Sequence, residues 1–252
     1  MLLQKINNAK NSGQKLLALL IDPDKVENGG LENLLFDATQ FGIDFIFFGG
    51  SLVESVNIDN AIKKIKGLTQ LPIIIFPGSS LQISNEADCI LFLSLLSGRN
   101  PEYLVGQQVI AAPMLKKSSL EVISTAYLLI DGGRITTANY VSNTLPIPRD
   151  KKEISNNTAI AAELFGFSCI YLDAGSGALF EVPADIIEGV AKNVDLPLIV
   201  GGGIDSVEKL NLAYQSGADI AVIGTSIETE PKKLKEFCNA KNLMNENSPI
   251  NN

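Results

Sequence analysis

The chain has 252 residues, a formal net charge of −8, and a hydrophobic fraction of 46%. This length is typical of one (β/α)8 barrel, and the acidic balance argues against sequence-independent nucleic-acid binding, which needs clustered cations. The absence of histidine excludes a histidine base, a Ser-His-Asp triad and the usual zinc sites.

Eight short apolar runs alternate with helix-like stretches, as a parallel α/β fold requires. The predicted strands span residues 15–21, 45–48, 72–76, 89–93, 126–130, 169–172, 197–200 and 220–223. Helices are predicted near residues 30–41, 58–67, 100–109, 152–166, 183–192, 206–216 and 231–243. The polar segment GSSLQISNEAD after the third strand predicts that one outer helix is missing or replaced by a loop. We therefore predict a single modified (β/α)8 TIM barrel over residues 1–244 and a disordered tail over residues 245–252.

No apolar run approaches the 18 residues that a membrane-spanning helix needs, and the N-terminal stretch lacks the apolar core of a signal peptide. The three cysteines, Cys89, Cys169 and Cys238, are far apart and form no CxxC pattern. Such cysteines are typical of small core residues in a reducing compartment. We expect a soluble, cytoplasmic protein.

The last three predicted strands end in glycine-rich turns. Their sequences are YLDAGSGA (171–178), VGGGI (200–204) and VIGTS (222–226). Glycine lets the main chain approach a ligand and lets its N–H groups converge on an anion, and barrels usually bind phosphate after strands seven and eight. We predict that the amides of Gly202, Gly203, Gly224 and Thr225 bind a phosphate. Taken alone, VGGGI also fits a tight turn with Asp205 as helix cap.

Two carboxylates at predicted strand ends have both a functional and a structural interpretation. Asp173, flanked by small residues, suits hydrogen bonding to a substrate hydroxyl or taking its proton; the alternative is a helix cap. Asp22 of IDPDK is a candidate Mg²⁺ ligand; the alternative is an Asp-Pro turn. Ser51, after the second strand, could supply a neutral oxygen to the same ion. The candidate anion partners near this face are Lys25, Arg99, Arg134 and Arg149.

The third, fourth and fifth strands are unusually apolar, with the sequences PIIIF, ILFLSLL and AYLLI. Most of this bulk is expected in the barrel core. Leu95 and Leu96, however, lie beyond the predicted end of the fourth strand, where a water-soluble substrate would have little use for leucine. The pattern leaves open an apolar groove on this side of the active face.

The motifs IDPDK, FGGS, FPGSS, ILFLSLLSGRNPEYLVGQ, NTLPIPRDK, YLDAGSGA, VGGGI and VIGT, in this order, resemble the geranylgeranylglyceryl phosphate synthase family. The similarity covers about residues 15–237. Members of that family are Mg²⁺-dependent prenyltransferases that join sn-glycerol 1-phosphate to a polyprenyl diphosphate through an ether bond. The resemblance implies Mg²⁺ as cofactor, these two substrates, and a homo-oligomer, either a dimer or a hexamer.

The resemblance also implies roles for the matching residues. Asp22 and Ser51 would hold the metal, and Asp173 would orient the glycerol 3-hydroxyl and accept its proton. The glycerol phosphate loop corresponds to Tyr171, Leu172, Asp173, Ala174, Gly175, Ser176 and Gly177, and the phosphate turns to Gly202, Gly203, Gly224 and Thr225. Two departures stand out. Many members have Glu in place of Asp173, and shorter members have Lys in place of Leu20, which puts this chain with the longer subgroup.

Two other functions stay open on the sequence. A phosphosugar isomerase or lyase fits the glycine turns equally well and would use residues of IDPDK and IDGG at the ends of strands one and five. A non-catalytic barrel whose glycines only sense a phosphorylated metabolite also fits.

Overall fold

The computed structural model describes residues 1–27, 29–50 and 57–247. Eight parallel strands close into a barrel in chain order, with the first strand pairing to both the second and the eighth. They are β1 Leu16–Ile21, β2 Phe45–Phe48, β3 Ile73–Ile75, β4 Cys89–Leu95, β5 Glu121–Leu129, β6 Cys169–Asp173, β7 Leu198–Gly201 and β8 Ile220–Ile223. All eight predicted strands are confirmed. β5 begins earlier than predicted. Its first five residues, EVIST, mix polar and apolar side chains, so the apolar run marks only its second half.

Ten α-helices accompany the strands in the described residues. They are α1 Leu2–Ser12, α2 Leu31–Phe41, α3 Ile58–Leu68, α4 Gln107–Lys117, α5 Thr137–Ser142, α6 Lys152–Leu164, α7 Ala184–Asn193, α8 Val207–Gln215, α9 Thr225–Thr229 and α10 Lys233–Glu246. A π-helix, Glu102–Gly106, leads into α4. The seven predicted helices are confirmed with shifted ends, whereas α1, α5 and α9 were not predicted. Residues 76–88 contain no helix, so the predicted interruption after β3 is confirmed.

Alternate residues of each strand pack on opposite sides of the barrel wall. In β5, Ile123, Tyr127 and Leu129 belong to the cluster that fills the barrel interior. Ala126 and Leu128, between them in the sequence, belong to the layer that joins the strands to the helices. This period of two follows from the pleat of a strand. Burying a leucine or isoleucine in either layer contributes about 1.5–3 kcal/mol, so both layers stabilise the barrel.

Helix α1 covers the amino end of the barrel. Its Ile6 and Ala9 are buried against the interior cluster. The N–H groups of Leu2 and Leu3 donate to the Glu121 carboxylate at 2.5 and 3.0 Å, so a negative charge lies at the positive end of the helix. This helix therefore closes the end of the barrel opposite to the strand ends that carry the motifs.

The last helix, α10, runs to Glu246, beyond the predicted end at residue 243. The Asn245 side-chain oxygen accepts from the Lys15 N–H at 2.6 Å, and its amide nitrogen donates to the Lys15 carbonyl at 3.0 Å. Of the predicted tail, residues 248–252 lie outside the described residues.

No helix in the described part of the chain is both long and apolar enough to cross a membrane.

Candidate active site

A polar cavity occupies the carboxyl end of the barrel and encloses about 1600 Å³ of empty space, part of it open to solvent. Nine of the predicted site residues line it. They are Asp22, Tyr171, Asp173, Ser176, Gly177, Gly202, Gly203, Gly224 and Thr225. Residues from β1, β6, β7 and β8 thus meet at one place, because the carboxyl ends of parallel strands share one edge of the barrel.

The remaining predicted site residues lie elsewhere. Leu172 and Ala174 are buried in the layer between the strands and the helices, so their side chains pack behind the cavity wall. The Gly175 N–H donates to the Asp173 carboxylate at 2.7 Å, and Gly175 supports that side chain from outside the cavity lining. Ser51, the second predicted metal ligand, lies outside the described residues.

Asp173, the last residue of β6, is a buried carboxylate held by neutral donors. The Tyr127 hydroxyl donates to its Oδ2 at 2.5 Å, and the Gly175 N–H donates to its Oδ1. Burial raises the pKa of Asp173, and the two hydrogen bonds partly offset that rise. A carboxylate with a raised pKa at a cavity wall can orient a substrate hydroxyl and accept its proton.

The glycines after β7 bring the main chain against the Asp173 loop. Gly202 and Gly203 have φ values of 78° and 71°, in the region that favours glycine. A Cβ on Gly202 would lie 2.7 Å from the Asp173 Oδ1, and one on Gly203 would lie 2.7 Å from the Phe180 carbonyl oxygen. Both positions therefore require glycine for backbone conformation and for close approach.

The turns after β7 and β8 present unused donors to the cavity. Among the described residues, no hydrogen bond is donated by the main-chain N–H groups of Gly202, Gly203 or Thr225. Thr225 begins α9, where the first amides of a helix have no partner within the helix. Its hydroxyl lies 3.4 Å from that of Ser176, so the turns after β6 and β8 converge. Such convergent amides can bind an anion.

The structural alternative for VGGGI was a tight turn with Asp205 as the cap of the next helix, α8. The structure has Ser206 as that cap. The Ser206 Oγ accepts from the Lys209 N–H at 3.4 Å at the start of α8, so the Asp205 cap of that alternative is wrong. Asp205 instead forms an ion pair with Lys209 at 3.0 Å. An Asp205 cap therefore does not account for the GGG turn. The close approach of the main chain to the Asp173 loop does account for its glycines.

Asp22 follows β1. It forms the turn of the structural interpretation and also lies at the cavity, as the functional interpretation expects. Its Oδ1 accepts from the Asp24 N–H at 3.0 Å, so it caps the 3-10 helix Pro23–Lys25. It also lines the polar cavity, where burial raises its pKa. A bound cation would relieve the cost of burying this charge, and Mg²⁺ is usually held by one or two carboxylates, waters and substrate phosphates. No group of three or more His, Cys, Asp and Glu residues in the described ranges could form a protein metal cage. Asp22 could therefore supply one carboxylate oxygen to a cation that takes its other ligands from water or substrate.

Of the four candidate anion partners, only Lys25 lines the polar cavity. It forms an ion pair with Glu228 of α9, so it is not simply a solvated charge. Lys233, which sequence reasoning missed, also lines the cavity and forms an ion pair with Glu230 at 3.3 Å. The Arg149 guanidinium lies over the Phe180 ring, 4.7 Å from its centroid.

An apolar channel adjoins the polar cavity on the side of β3, β4 and α4, with about 910 Å³ of empty space, part of it open to solvent. Leu91, Leu93 and Leu95 of β4 line it, together with Ala111 and Leu115 of α4. It lies where residues 76–88 replace the missing outer helix. The apolar groove expected from the sequence is therefore present, with Leu95 in its wall and Leu96 packed against the core.

Sequence reasoning missed Phe76 and Tyr127, which line both the cavity and the channel. Tyr127 was included in the apolar run AYLLI and was assigned to the core. The signal that could have identified it is the alternation of side chains along a strand, which places every second residue on the interior face of the barrel. Tyr127 pairs in register with Tyr171 of β6, so the two tyrosines lie side by side on the interior face of the barrel.

Comparison with known proteins agrees with this geometry. The model of the PcrB family matches residues 11–241. A geranylgeranylglyceryl phosphate synthase from Chitinophaga pinensis is 48% identical over 231 residues, covering 92% of each chain. One from Flavobacterium johnsoniae is 51% identical over 227 residues, covering 90% of this chain and 93% of the relative.

A crystal structure shows the same fold. It is that of (S)-3-O-geranylgeranylglyceryl phosphate synthase from Thermoplasma acidophilum in complex with its substrate sn-glycerol-1-phosphate. The two chains superpose with a TM-score of 0.89 at 36% sequence identity, covering 98% of this chain and 99% of the other. The chain therefore belongs to the PcrB family and, like the relatives it matches, is a prenyltransferase.

Proposed function

We propose that the protein transfers a geranylgeranyl or similar polyprenyl group from its diphosphate to the 3-hydroxyl of sn-glycerol 1-phosphate. The observation that carries this proposal is the junction of a polar, amide-rich cavity with an apolar channel. One substrate is a small phosphate ester and the other is a long hydrocarbon, and the two compartments suit them separately. The names of the relatives and the glycerol phosphate bound in the Thermoplasma acidophilum enzyme support the same pair of substrates.

The glycerol phosphate would bind at the three glycine-rich turns. The amides of Gly202, Gly203 and Thr225 would donate to its phosphate, and Gly224 would let the main chain approach it. The Ser176 and Thr225 hydroxyls, which lie at the same convergence, would add polar contacts. The carbon chain of the glycerol would then extend toward Asp173, which lines the same cavity.

Asp173 would orient the 3-hydroxyl and accept its proton as the ether bond forms. The electrophile is an allylic carbon that becomes cationic as diphosphate leaves, so the base need not be strong and a carboxylate suffices. Tyr127 fixes this carboxylate through its hydrogen bond, which holds Oδ2 in place while Oδ1 is bound by the Gly175 amide. The absence of histidine is consistent with this chemistry.

Asp22, with Ser51 as the second predicted ligand, would hold Mg²⁺ beside the diphosphate. When bound, Mg²⁺ neutralises negative charge on a leaving diphosphate. Lys25, which also lines the cavity and is paired with Glu228, would add a cation on the same side. The homo-oligomer implied by the resemblance, a dimer or a hexamer, is part of this proposal.

The apolar channel would take the prenyl chain. Burial of a twenty-carbon chain offers on the order of 10 kcal/mol at about 0.8 kcal/mol per CH₂ group. The walls formed by β4 and α4 expose aliphatic side chains to this space. The free energy of donor binding would therefore come largely from the channel.

The phosphosugar isomerase or lyase alternative is less well supported. The Oδ1 of Asp131, the acid after β5, accepts from the Gly133 N–H at 2.9 Å, and Asp131 is not among the residues that line the polar cavity. An isomerase also has no use for an apolar channel next to its phosphate site.

The direct test is incubation of the purified protein with labelled sn-glycerol 1-phosphate and geranylgeranyl diphosphate. We expect an organic-soluble, acid-stable product that disappears with EDTA and returns when Mg²⁺ is added in excess. The matched control is sn-glycerol 3-phosphate, which should react far more slowly. Lack of an organic-soluble product in the presence of Mg²⁺ with any of several prenyl donors would count against the proposal.

A further inference from the structure

Three successive carbonyl groups in the turn after β7 accept hydrogen bonds from the side chains of three different helices. These carbonyls belong to residues 203–205. Their donors are, in the same order, the Lys209 ammonium of α8 at 3.2 Å, the Ser226 hydroxyl of α9 at 3.2 Å and the Lys233 ammonium of α10 at 3.3 Å. The chain itself therefore fixes the carbonyl side of this turn.

The N–H groups of the same turn have no such partners. Within the part of the chain that the structure describes, the main-chain N–H groups of Gly203, Ile204 and Asp205 donate no hydrogen bond. In a trans peptide the N–H points away from the carbonyl of the same unit. Carbonyls that are held from the helix side therefore turn these N–H groups toward the polar cavity, which residues 202–205 line.

Two carboxylates hold the Lys209 ammonium beside the Gly203 carbonyl. The Asp205 and Glu181 carboxylates lie 3.0 and 3.4 Å from the Lys209 Nζ. Burial lowers the pKa of Lys209, but its contacts with these two carboxylates outweigh burial, so the pKa lies above its ordinary value and the side chain stays charged.

Lys209 also joins two loops of the site. Glu181 belongs to the loop after β6, and this loop already touches the turn after β7, because a Cβ on Gly203 would lie 2.7 Å from the Glu181 main-chain nitrogen. Lys209 itself is not among the described residues that line the polar cavity, so it acts on the turn from behind.

We infer that Lys209 is a positioning residue for phosphate binding, because it holds the Gly203 carbonyl and thereby keeps the amides of this turn directed at the cavity. The inference rests on the phosphate site of the proposed function. Without the ammonium, the Gly203 carbonyl loses its donor, and Asp205 and Glu181 lose their counter-ion close to a site for a dianion. Both consequences weaken phosphate binding, and neither reaches Asp173 or the apolar channel.

The test is Lys209→Met, which keeps an unbranched side chain and removes the ammonium. Affinity for inorganic phosphate and for sn-glycerol 1-phosphate, measured by calorimetric titration, should fall by about 10-fold. The KM for sn-glycerol 1-phosphate should rise by a similar factor, while kcat and the KM for the prenyl diphosphate stay within about twofold. Thermal melting identifies any variant that fails to fold.

Lys209→Arg tests the hydrogen bond itself, since a guanidinium can donate to the carbonyl and to both carboxylates. This variant should keep phosphate affinity within about threefold of wild type. Lys192→Met is the matched control, because it removes one positive charge from the neighbouring helix α7, where Lys192 forms only an exposed pair with Glu188 at 3.5 Å. Its phosphate affinity should equal that of wild type.

Three results would overturn the inference. They are wild-type phosphate affinity in folded Lys209→Met, an equal loss of affinity in Lys192→Met, and a fall in kcat of Lys209→Met as large as its loss of affinity.

The titration with inorganic phosphate separates this inference from the proposed function, because it needs no turnover. If wild type makes no prenyl ether but Lys209→Met loses phosphate affinity, the proposed function fails and the inference stands. If wild type makes the ether and Lys209→Met binds phosphate as wild type does, the inference fails and the proposed function stands. Failure of wild type to bind phosphate would overturn the inference outright.

Discussion

Carboxylates at the two ends of the barrel differ in the charge of their hydrogen-bond partners. At the amino end, Asp44 accepts from the Lys241 Nζ and from the Leu17 N–H, both at 2.9 Å. Asp219 of the same end accepts from the Leu198 N–H at 2.9 Å and pairs with Lys10 at 3.3 Å. Each carboxylate is neutralised by the chain itself, so these contacts serve stability.

At the carboxyl end, Asp173 has only neutral donors, the Tyr127 hydroxyl and the Gly175 amide. No lysine or arginine in the described ranges forms an ion pair with it. Its buried charge is therefore left to be used by a substrate. The difference teaches that lysines compensate Asp44 and Asp219 at the closed end of the barrel, whereas the buried Asp173 at its open end has no such partner in the described residues.

The largest expected effect comes from replacing Asp173 by Asn. Loss of the proposed general base should lower kcat by about 100- to 10,000-fold. The free energy of unfolding should change by no more than about 1 kcal/mol, since a neutral amide is easier to bury than a charge. Initial rates and urea unfolding measure the two quantities. The matched control is Asp44→Asn, which should lose several kcal/mol of stability and keep its kcat. A similar loss of stability in both variants would contradict the comparison.

Lys241→Met tests the compensated end. Removing one partner of a buried ion pair leaves Asp44 uncompensated and should cost about 3 kcal/mol of unfolding free energy. For a chain of this size, thermal denaturation should occur about 6–12 °C lower. The kcat of the folded enzyme should not change. Lys66→Met is the control, because the Lys66–Asp88 pair is more exposed and should contribute less than about 1 kcal/mol. Equal losses of unfolding free energy in the two variants would show that the buried Lys241–Asp44 pair contributes no more than the exposed one.

Gly202→Ala should weaken glycerol phosphate binding by about 10- to 100-fold. The added Cβ would enter an unfavourable backbone region and crowd the Asp173 carboxylate, at a cost of about 1–3 kcal/mol. Calorimetric titration with sn-glycerol 1-phosphate measures the change. Gly13→Ala is the control, since Gly13 also has a positive φ, 73°, but a Cβ there meets no atom within 4 Å. If both variants bind the ligand as wild type does, the turn after β7 does not form the phosphate site.

The strands and the main site carboxylates could be predicted because their signals are local. Short apolar runs identified all eight strands, and strand ends identified Asp22 and Asp173. Helix α1 was missed because its sequence is largely polar and only Ile6 and Ala9 are buried. Its stability comes from contacts with the barrel floor and with Glu121, which are distant in the sequence.

The aromatic part of the site could not be predicted for a similar reason. Phe76 and Tyr127 read as ordinary core residues within apolar runs, and only their convergence in space gives them a role. The cap of α8 was also ambiguous, because Asp205 and Ser206 are adjacent and both are good capping residues. Side-chain geometry decided between them.

The measurement that tests the central claim most directly is the pH dependence of kcat/KM for wild type and Tyr127→Phe. The proposed role of Asp173 requires its ionised form, and burial raises its pKa. As the pH is lowered, kcat/KM should therefore begin to fall at a higher pH than the protonation of an ordinary aspartate would cause. Tyr127 donates to this carboxylate and lowers its pKa, so Tyr127→Phe should move the acid limb to still higher pH. The account would be contradicted if kcat/KM of wild type fell only at the pH where an exposed aspartate is protonated, and if Tyr127→Phe had the same profile.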